Sequence, residues 1–488
     1  MNKILSSSKS ILRTTAIELE TRRSKLSEAL GPSSAAIIPG YGLRYKTNGI
    51  FYEFHQNTNL LYFTGFNEPD AGCVLETDNN GQKTFSMFVQ PMDPNTRIWD
   101  GPRFGLEGVK KMFHADKSYS ISQFEPFLYQ LDLNTSIKSI YSDLPLTRRL
   151  NADLLQGTHI RVKSASAVHV DSDTSISRYL QEAHLDMDDN ASSSRFMMDW
   201  IGHHRPSKNG TRIESLAPIV DQLRLTKSEM EIKIMRECGR ITGRAFAECM
   251  RQTGKSIKTE HQLWAAMDYF TRMNGADCLA YVPVVAGGEN GLTLHYVQNS
   301  APLGENDLVL VDAGAELHGY CSDITRTWPV SGKFTSPQAQ VYQAVLTAQK
   351  QIIKKCQETL NVSLNDLQRE TVGLLKDSCQ QLFKRTVSES EMDVLFPHHV
   401  GHYLGLDVHD TPSISRQTKL KSGMVVTIEP GLYIPHSSNY PPEFRGIAVR
   451  IEDDVAIGGP STNHAPITLS VEAPKEMSDV EAVLAGLV

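Results

Sequence analysis

Apolar residues recur at spacings of three and four from Met230 through Ile234, Cys238, Ile241 and Ala245 to Cys249, the signature of an amphipathic helix. Ser228 followed three residues later by Glu231 has the form of a capping box at its start. A second helix is expected to open at Ser336-Pro337, with Ser as N-cap and Pro in the first helical position, and to run through Val341, Val345, Ala348 and Ile352. Short apolar runs lie between and after them: YVPVVAGG, DLVLVDAG, MVVTIEPGLYI and IAVRIEDDVAI. They read as buried strands, and the mixture of helix and strand points to an α+β or α/β domain of catalytic size.

The first part of the chain has a different texture. From about residue 34 to 165 the β-rich runs AAIIPG, NLLYFTGF, GCVLET and TFSMFVQ alternate with turn residues, and a helical stretch near 121–131 interrupts them. This predicts a separate α/β domain. Residues 185–213 are polar and rich in Ser, Asn and Gly without a sustained period, as surface loops or an interdomain connection would be. A boundary near 215 follows, giving domains 18–215 and 216–488.

Composition narrows the class without naming an activity. With 40% hydrophobic and 22% charged residues, 33 Gly and 23 Pro, the chain has the makeup of an ordinary globular protein. The 49 basic and 56 acidic residues leave a net charge of −7, which argues against a dedicated nucleic-acid binder. No uninterrupted apolar stretch approaches the roughly 20 residues that would span a bilayer, so no membrane partner is expected. Seven scattered cysteines with no CxxC pair suit neither a disulfide framework nor a thiolate zinc site. Residues 1–17 carry Lys3, Lys9 and Arg13, several Ser and Thr, and no acid before Glu18. That is the chemistry of a mitochondrial transit peptide, the alternative being a basic tail on a cytoplasmic enzyme.

Familiar catalytic words are missing: no GxSxG elbow, no HExxH helix, no intact phosphate loop. What stands out is a set of acids embedded in strand-like runs, Asp312 in LVLVDAG, Asp323 in GYCSDITRT, Glu429 in VVTIEPG and Glu452 in VRIEDD. One such acid is ordinarily a solvated strand face. Four that converge would repel one another and stay protonated at neutral pH unless cations compensate them, and two divalent ions would balance their charge. FPHHVGHYLGLDVHD offers a neutral ligand from among His398, His399, His402 and His409. An oxygen-rich set with one imidazole leans toward Mn²⁺, with Co²⁺, Fe²⁺ and Zn²⁺ as alternatives. A dinuclear hydrolase is therefore the expectation from the residues.

The ordered set Asp312, Asp323, His402 in HHVGHYLGLDVHD, Glu429 in IEPG and Glu452 in RIED resembles the metallopeptidases of the pita-bread fold. Within that family GHYLGLDVHDTP, TIEPGLYIP and GIAVRIEDDV, with LHYVQNS around His295, resemble Xaa-Pro aminopeptidases more than methionine aminopeptidases. FHQNTNLLYFTGFNEPDA and RIWDGPRFG are similar to the family's N-terminal domain, and the mitochondrial type that includes the fungal intermediate-cleaving peptidase is the nearest in character.

The resemblance implies an α+β pita-bread catalytic domain preceded by a smaller α/β domain, and two divalent metal ions held by Asp312, Asp323, His402, Glu429 and Glu452. It implies His295, His409 and Arg450 as catalytic groups and Tyr281, His295, His402 and His409 around the substrate, with His398 supporting the ligand His402. The expected reaction releases the N-terminal residue from peptides with a free N-terminus, preferentially before proline, and extends to trimming of mitochondrial proteins. A prolidase restricted to Xaa-Pro dipeptides and a non-catalytic peptide-binding module are the rival readings. Relatives of this type commonly dimerise, so a homodimer is expected.

Overall fold

The computed structural model describes residues 2–143 and 211–487, with side chains described from Ala16 onward. The polar stretch expected to be a connection falls outside the described residues up to 210, and its last residues enter the strand Arg212–Ser215. The chain forms two compact units, Met1–Leu223 and Arg224–Val488. No helix among the described residues is long and apolar enough to cross a membrane.

The first unit is built on a six-stranded mixed sheet. Ser34–Pro39 pairs antiparallel with Gly72–Thr77 and parallel with Ser139–Ser142, and the order across the sheet is Lys117–Ser120, Lys83–Val89, Gly72–Thr77, Ser34–Pro39, Ser139–Ser142, Arg212–Ser215. Ala35, Ile37, Val74, Phe88 and Ile140 bury one face against Phe124, Leu128 and Leu131 of the helix Phe124–Leu133. NLLYFTGF corrects an expectation, because it forms the helix Thr58–Thr64 and not a strand. Asn57 accepts hydrogen bonds from the amides of Asn59 and Leu60, and Gly65 closes the turn in the left-handed region at φ 67°. An N-cap and a C-cap on either side of seven residues outweigh the strand propensity of the run between them.

In the second unit the capping box holds: Ser228 Oγ accepts from the Glu231 amide and Glu231 returns a bond to the Ser228 amide, opening the helix Glu229–Gln252. The later helix, Ser336–Ile353, begins one residue earlier than expected. Thr335 is the cap and Gln338 its reciprocal partner, so Ser336 is already helical.

The strands alternate in a way that positions chemistry. In Leu308–Ala313, Val309, Val311 and Ala313 point into a core with Phe246, Met250, Leu263 and Met267 of the helices Glu229–Gln252 and Glu260–Met273. Period two sends Leu310 and Asp312 to the other face. Its antiparallel neighbour Ile324–Pro329 buries Ile324 and Trp328 in the same core, leaving Thr325 and Thr327 beside Asp312. The segment 449–455 repeats the device. Val449, Ile451 and Val455 pack with Val341, Val345 and Leu367 of the helices Ser336–Ile353 and Leu364–Phe383. Arg450, Glu452 and Asp454 face the opposite way.

Candidate metal centre

Two close backbone approaches set the frame. A Cβ on Gly314 would lie 1.7 Å from the Ser322 carbonyl oxygen, and one on Gly401 would lie 1.8 Å from that of Thr427. The first glycine lets the chain segments bearing Asp312 and Asp323 close on each other. The second lets the loop before His402 lie along Val425–Ile428, where the His402 amide donates to Thr427 Oγ1, the Thr427 amide to the His402 carbonyl and the Glu429 amide to the Val400 carbonyl. His402 and Glu429 are thereby fixed side by side.

The side chains converge. His402 Nε2 lies 3.3 Å from Asp323 Oδ2 and 3.7 Å from Glu429 Oε1. Ligand atoms of Asp323, His402 and Glu452 all fall within 4.8 Å of one another. Asp312 joins through Tyr281, whose hydroxyl is 2.6 Å from Asp312 Oδ1 and also bonds Asp323 Oδ1. Arg450 reaches three ways: to Asp312 Oδ2 at 2.6 Å, to the Tyr433 hydroxyl at 2.8 Å and to Thr325 Oγ1 at 3.0 Å. Thr325 in turn donates to Glu452 Oε2 at 2.6 Å. Tyr433, already accepting from Arg450, donates to His398 Nε2 at 2.9 Å, which leaves the His398 proton on Nδ1 facing the His399 carbonyl at 2.9 Å and Glu429 Oε2 at 3.5 Å.

The electrostatics follow from burial and crowding. Burial, then the charge of Asp312, raises the Asp323 carboxyl. Burial lifts Glu429 to about 7 against the pull of His402 and Arg450. Glu452 is raised well above the usual carboxylate range by burial and by Asp323, Glu429 and Asp312. His402 goes up to about 9, since burial, which opposes its charge, is outweighed by Asp323 and Glu429. The cluster holds on to protons, and a divalent cation is what takes their place: carboxylate oxygens braced by the Tyr281, Thr325 and Thr427 hydroxyls, with one imidazole whose Nδ1 faces the Tyr403 carbonyl, form a donor set that fits such an ion.

The other expected residues are placed less uniformly. The His409 ring stands edge-on to that of His402, centroids 4.6 Å apart, and its residue is exposed. His295 is exposed after the turn Gly288–Leu292, and its neighbours Leu294 and Tyr296 pack with Leu310, Tyr433 and Ala448. The structure gives His295 no hydrogen bond to the cluster among the described residues. The Tyr281 hydroxyl is engaged with two carboxylates, and Arg450 is spent on Asp312, Tyr433 and Thr325.

Several groups here escaped sequence reasoning. Three consecutive acids have three fates: Glu452 faces the cluster, Asp453 turns back to Arg326 at 2.6 Å, Gln349 at 2.7 Å and Ser470 at 2.6 Å, and Asp454 accepts the Asp323 amide at 3.2 Å. Asp453 is held well below the usual range by Arg326 and Lys475 despite burial, whereas burial and the Asp323 charge push Asp454 well above it. Glu260, fully buried, accepts from the Gly287 and Ala301 amides, Asn290 and the Tyr296 hydroxyl, anchoring both ends of the His295 segment. The signal for Thr325 was available, as a polar position alternating with Ile324 and Trp328's face.

Comparison with known proteins places this geometry. Residues 233–458 match metallopeptidase family M24, and residues 19–141 match the aminopeptidase P N-terminal domain. The chain is 36% identical over 475 residues to intermediate cleaving peptidase 55 of Saccharomyces cerevisiae, spanning 96% of this chain and 84% of that one. It is 35% identical over 484 residues to Xaa-Pro aminopeptidase 3 of Homo sapiens, spanning 96% and 85%. Among solved structures, Icp55 from Saccharomyces cerevisiae bound to the inhibitor apstatin superimposes with a TM-score of 0.74 at 33% identity, over 96% of this chain and 98% of that one. Aminopeptidase P from E. coli with the inhibitor Pro-Leu gives 0.78 at 28% identity, over 97% and 98%.

Proposed function

The chain belongs to metallopeptidase family M24 and carries the family's metal-dependent peptidase fold, and from that premise we propose that it is an Xaa-Pro aminopeptidase working with two divalent ions. The observation that carries the reading is the convergence of Asp323, His402 and Glu452 ligand atoms within 4.8 Å, with Asp312 and Glu429 at its rim. These five residues would hold the ions. The oxygen-rich donors favour Mn²⁺, with Co²⁺ or Zn²⁺ as the alternatives. When bound, such ions would supply Lewis acidity toward the scissile carbonyl and lower the pKa of a bound water.

The chain's own groups do the rest. Arg450 neutralises Asp312 at Oδ2, while the Tyr281 hydroxyl meets its other oxygen, Oδ1, on the side of Asp323. Thr325 and Thr427 orient Glu452 and Glu429. His409, exposed beside His402, is the group that reaches the substrate carbonyl or delivers a proton to the leaving nitrogen, and His295 is its candidate counterpart. The bond before proline is a tertiary amide without N–H and with a fixed ring. A site that grips the free α-amine and the carbonyl, and asks nothing of the missing N–H, can hold it.

Peptides with a free N-terminus are the substrates in this reading. The names borne by the relatives, with the basic first 17 residues, support a mitochondrial address and trimming of mitochondrial protein N-termini, and a homodimer is the assembly proposed. The test is metal analysis of the purified chain together with cleavage of Xaa-Pro dipeptides against longer Xaa-Pro-Xaa-Xaa peptides. Release of the first residue from the longer peptides, dependent on bound metal, is expected; exclusive cleavage of dipeptides would make it a prolidase. Cell fractionation separates the mitochondrial from the cytoplasmic address.

A further inference from the structure

The turn that carries His402 and His409 ends in a buried ion cluster the chemistry above does not use. The Asp410 carboxylate lies between Lys227 Nζ at 2.9 Å and Arg224 Nη2 at 2.5 Å, and the three side chains are 1%, 1% and 4% exposed. Arg224 also reaches Asp407 Oδ2 at 2.7 Å. Between these points the turn is tight. The Asp410 amide donates to the Tyr403 carbonyl, the Gly405 amide to that of Asp407, and the Cys321 amide, two residues before Asp323, to that of Gly405. A Cβ on Gly405 would fall 2.2 Å from Asp410 Oδ2, so the carboxylate occupies the space a side chain there would need.

Burying two cations against one carboxylate is a costly way to gain stability, because desolvation consumes most of the Coulombic return and an apolar set of the same shape often does as well. What such a cluster does supply is direction. Asp410 is fixed by its amide on one side and by a two-cation clamp on its carboxylate, and the residue before it is His409, whose ring stands against His402. We infer that Lys227 and Arg224, acting through Asp410, are positioning residues that hold His409 in its place beside His402 for the reaction. The inference rests on the role given to His409 under the proposed function.

A mutant cycle on the metal-loaded full chain separates the two ideas. Lys227→Met keeps length and removes the charge; Lys227→Arg restores it. Steady-state cleavage of an Xaa-Pro tetrapeptide is measured for Lys227→Met, Lys227→Arg, His409→Ala and the Lys227→Met/His409→Ala double variant, with metal content and thermal unfolding alongside. The expected result is about a tenfold or greater loss of kcat in Lys227→Met with KM within about twofold and metal content unchanged, partial recovery in Lys227→Arg, and no further loss in the His409→Ala background. An equal fold-loss in both backgrounds overturns the inference and leaves the role of His409 standing. Full kcat in His409→Ala overturns both. Should Lys227→Met fail to fold, Asp410→Asn, which keeps the side-chain shape, goes through the same cycle with the same outcomes.

Discussion

Arg450 and Asp312 meet across the strands Ala448–Arg450 and Leu308–Ala313 with Nη2 2.6 Å from Oδ2, their side chains 5% and 17% exposed. The pair is the protein's own counter-charge inside a cluster of acids. Burial opposes the guanidinium's charge, yet Tyr433, Asp312, Glu452 and Glu429 raise its pKa well above the usual arginine value. Arg450 therefore stays charged with or without metal.

Replacing Arg450 by Met leaves Asp312 without its cationic partner, with the Tyr281 hydroxyl still on Oδ1, and takes a donor from Tyr433 and from Thr325. Breaking such a pair from one side costs about 3–5 kcal/mol. That loss is expected in denaturant unfolding of the metal-free chain. It is expected to shrink in the metal-loaded chain, where bound cations take over the compensation of Asp312. Arg450→Lys is expected to recover little, because one ammonium cannot serve three acceptors spread over a planar fork. Equal losses with and without metal would show that Arg450 is not coupled to the charge of the centre.

The raised carboxyls and the raised imidazole have one sign in common. Glu429 moves from 4.5 to about 7 and His402 from 6.5 to about 9, so the folded metal-free chain binds more protons than the unfolded chain across that span. Stability then falls as pH rises, from the acid limb through the folded pKa of Glu429 and on through that of His402. Metal ions displace the same protons, so the apparent affinity is expected to climb with pH over the same window and the loaded chain to lose most of the slope. Thermal unfolding between about pH 5 and pH 9, with and without chelator, reads both effects. A metal-free chain that grows more stable toward alkaline pH would contradict the assignment of these groups.

Much of the centre was legible because carboxylates in or beside apolar runs are conspicuous: Asp312 lies within a strand, and Asp323, Glu429 and Glu452 each lie next to one, against Val, Leu and Ile neighbours. The groups that aim them are ordinary. Thr325, Thr427 and Tyr433 fit strand positions, and only the facing register reveals what their hydroxyls touch. Asp453 and Asp454 could not be told apart from Glu452 by composition. Strand alternation separates them, but the partners, Arg326 and Gln349 on one side and the Asp323 amide on the other, come from segments more than a hundred residues away. NLLYFTGF shows the complementary limit: an apolar run of that length suits either helix or strand, and the decision lay in the caps Asn57 and Gly65.

The closeness of Gly314 to the Ser322 carbonyl makes a geometric prediction about the centre. A methyl group there would sit 1.7 Å from that oxygen and 3.1 Å from the Tyr281 ring, so the two segments must part. Parting them moves Asp312, two residues before Gly314, away from Asp323, one residue after Ser322, and withdraws Tyr281 from between them. Gly314→Ala is thus expected to destabilise the chain by about 1–3 kcal/mol or more, as overpacking against fixed backbone does. It is also expected to weaken metal binding by more than the stability change alone explains. Gly373 is the control. It is exposed in the helix Leu364–Phe383 with nothing within 4 Å of a built Cβ, and Ala there is expected to add up to about 1 kcal/mol with metal affinity unchanged. Isothermal titration of both variants with Mn²⁺, alongside their unfolding curves, decides the matter. A Gly314→Ala chain that binds metal as tightly as the parent would mean that the spacing of Asp312 and Asp323 is not what holds the ions.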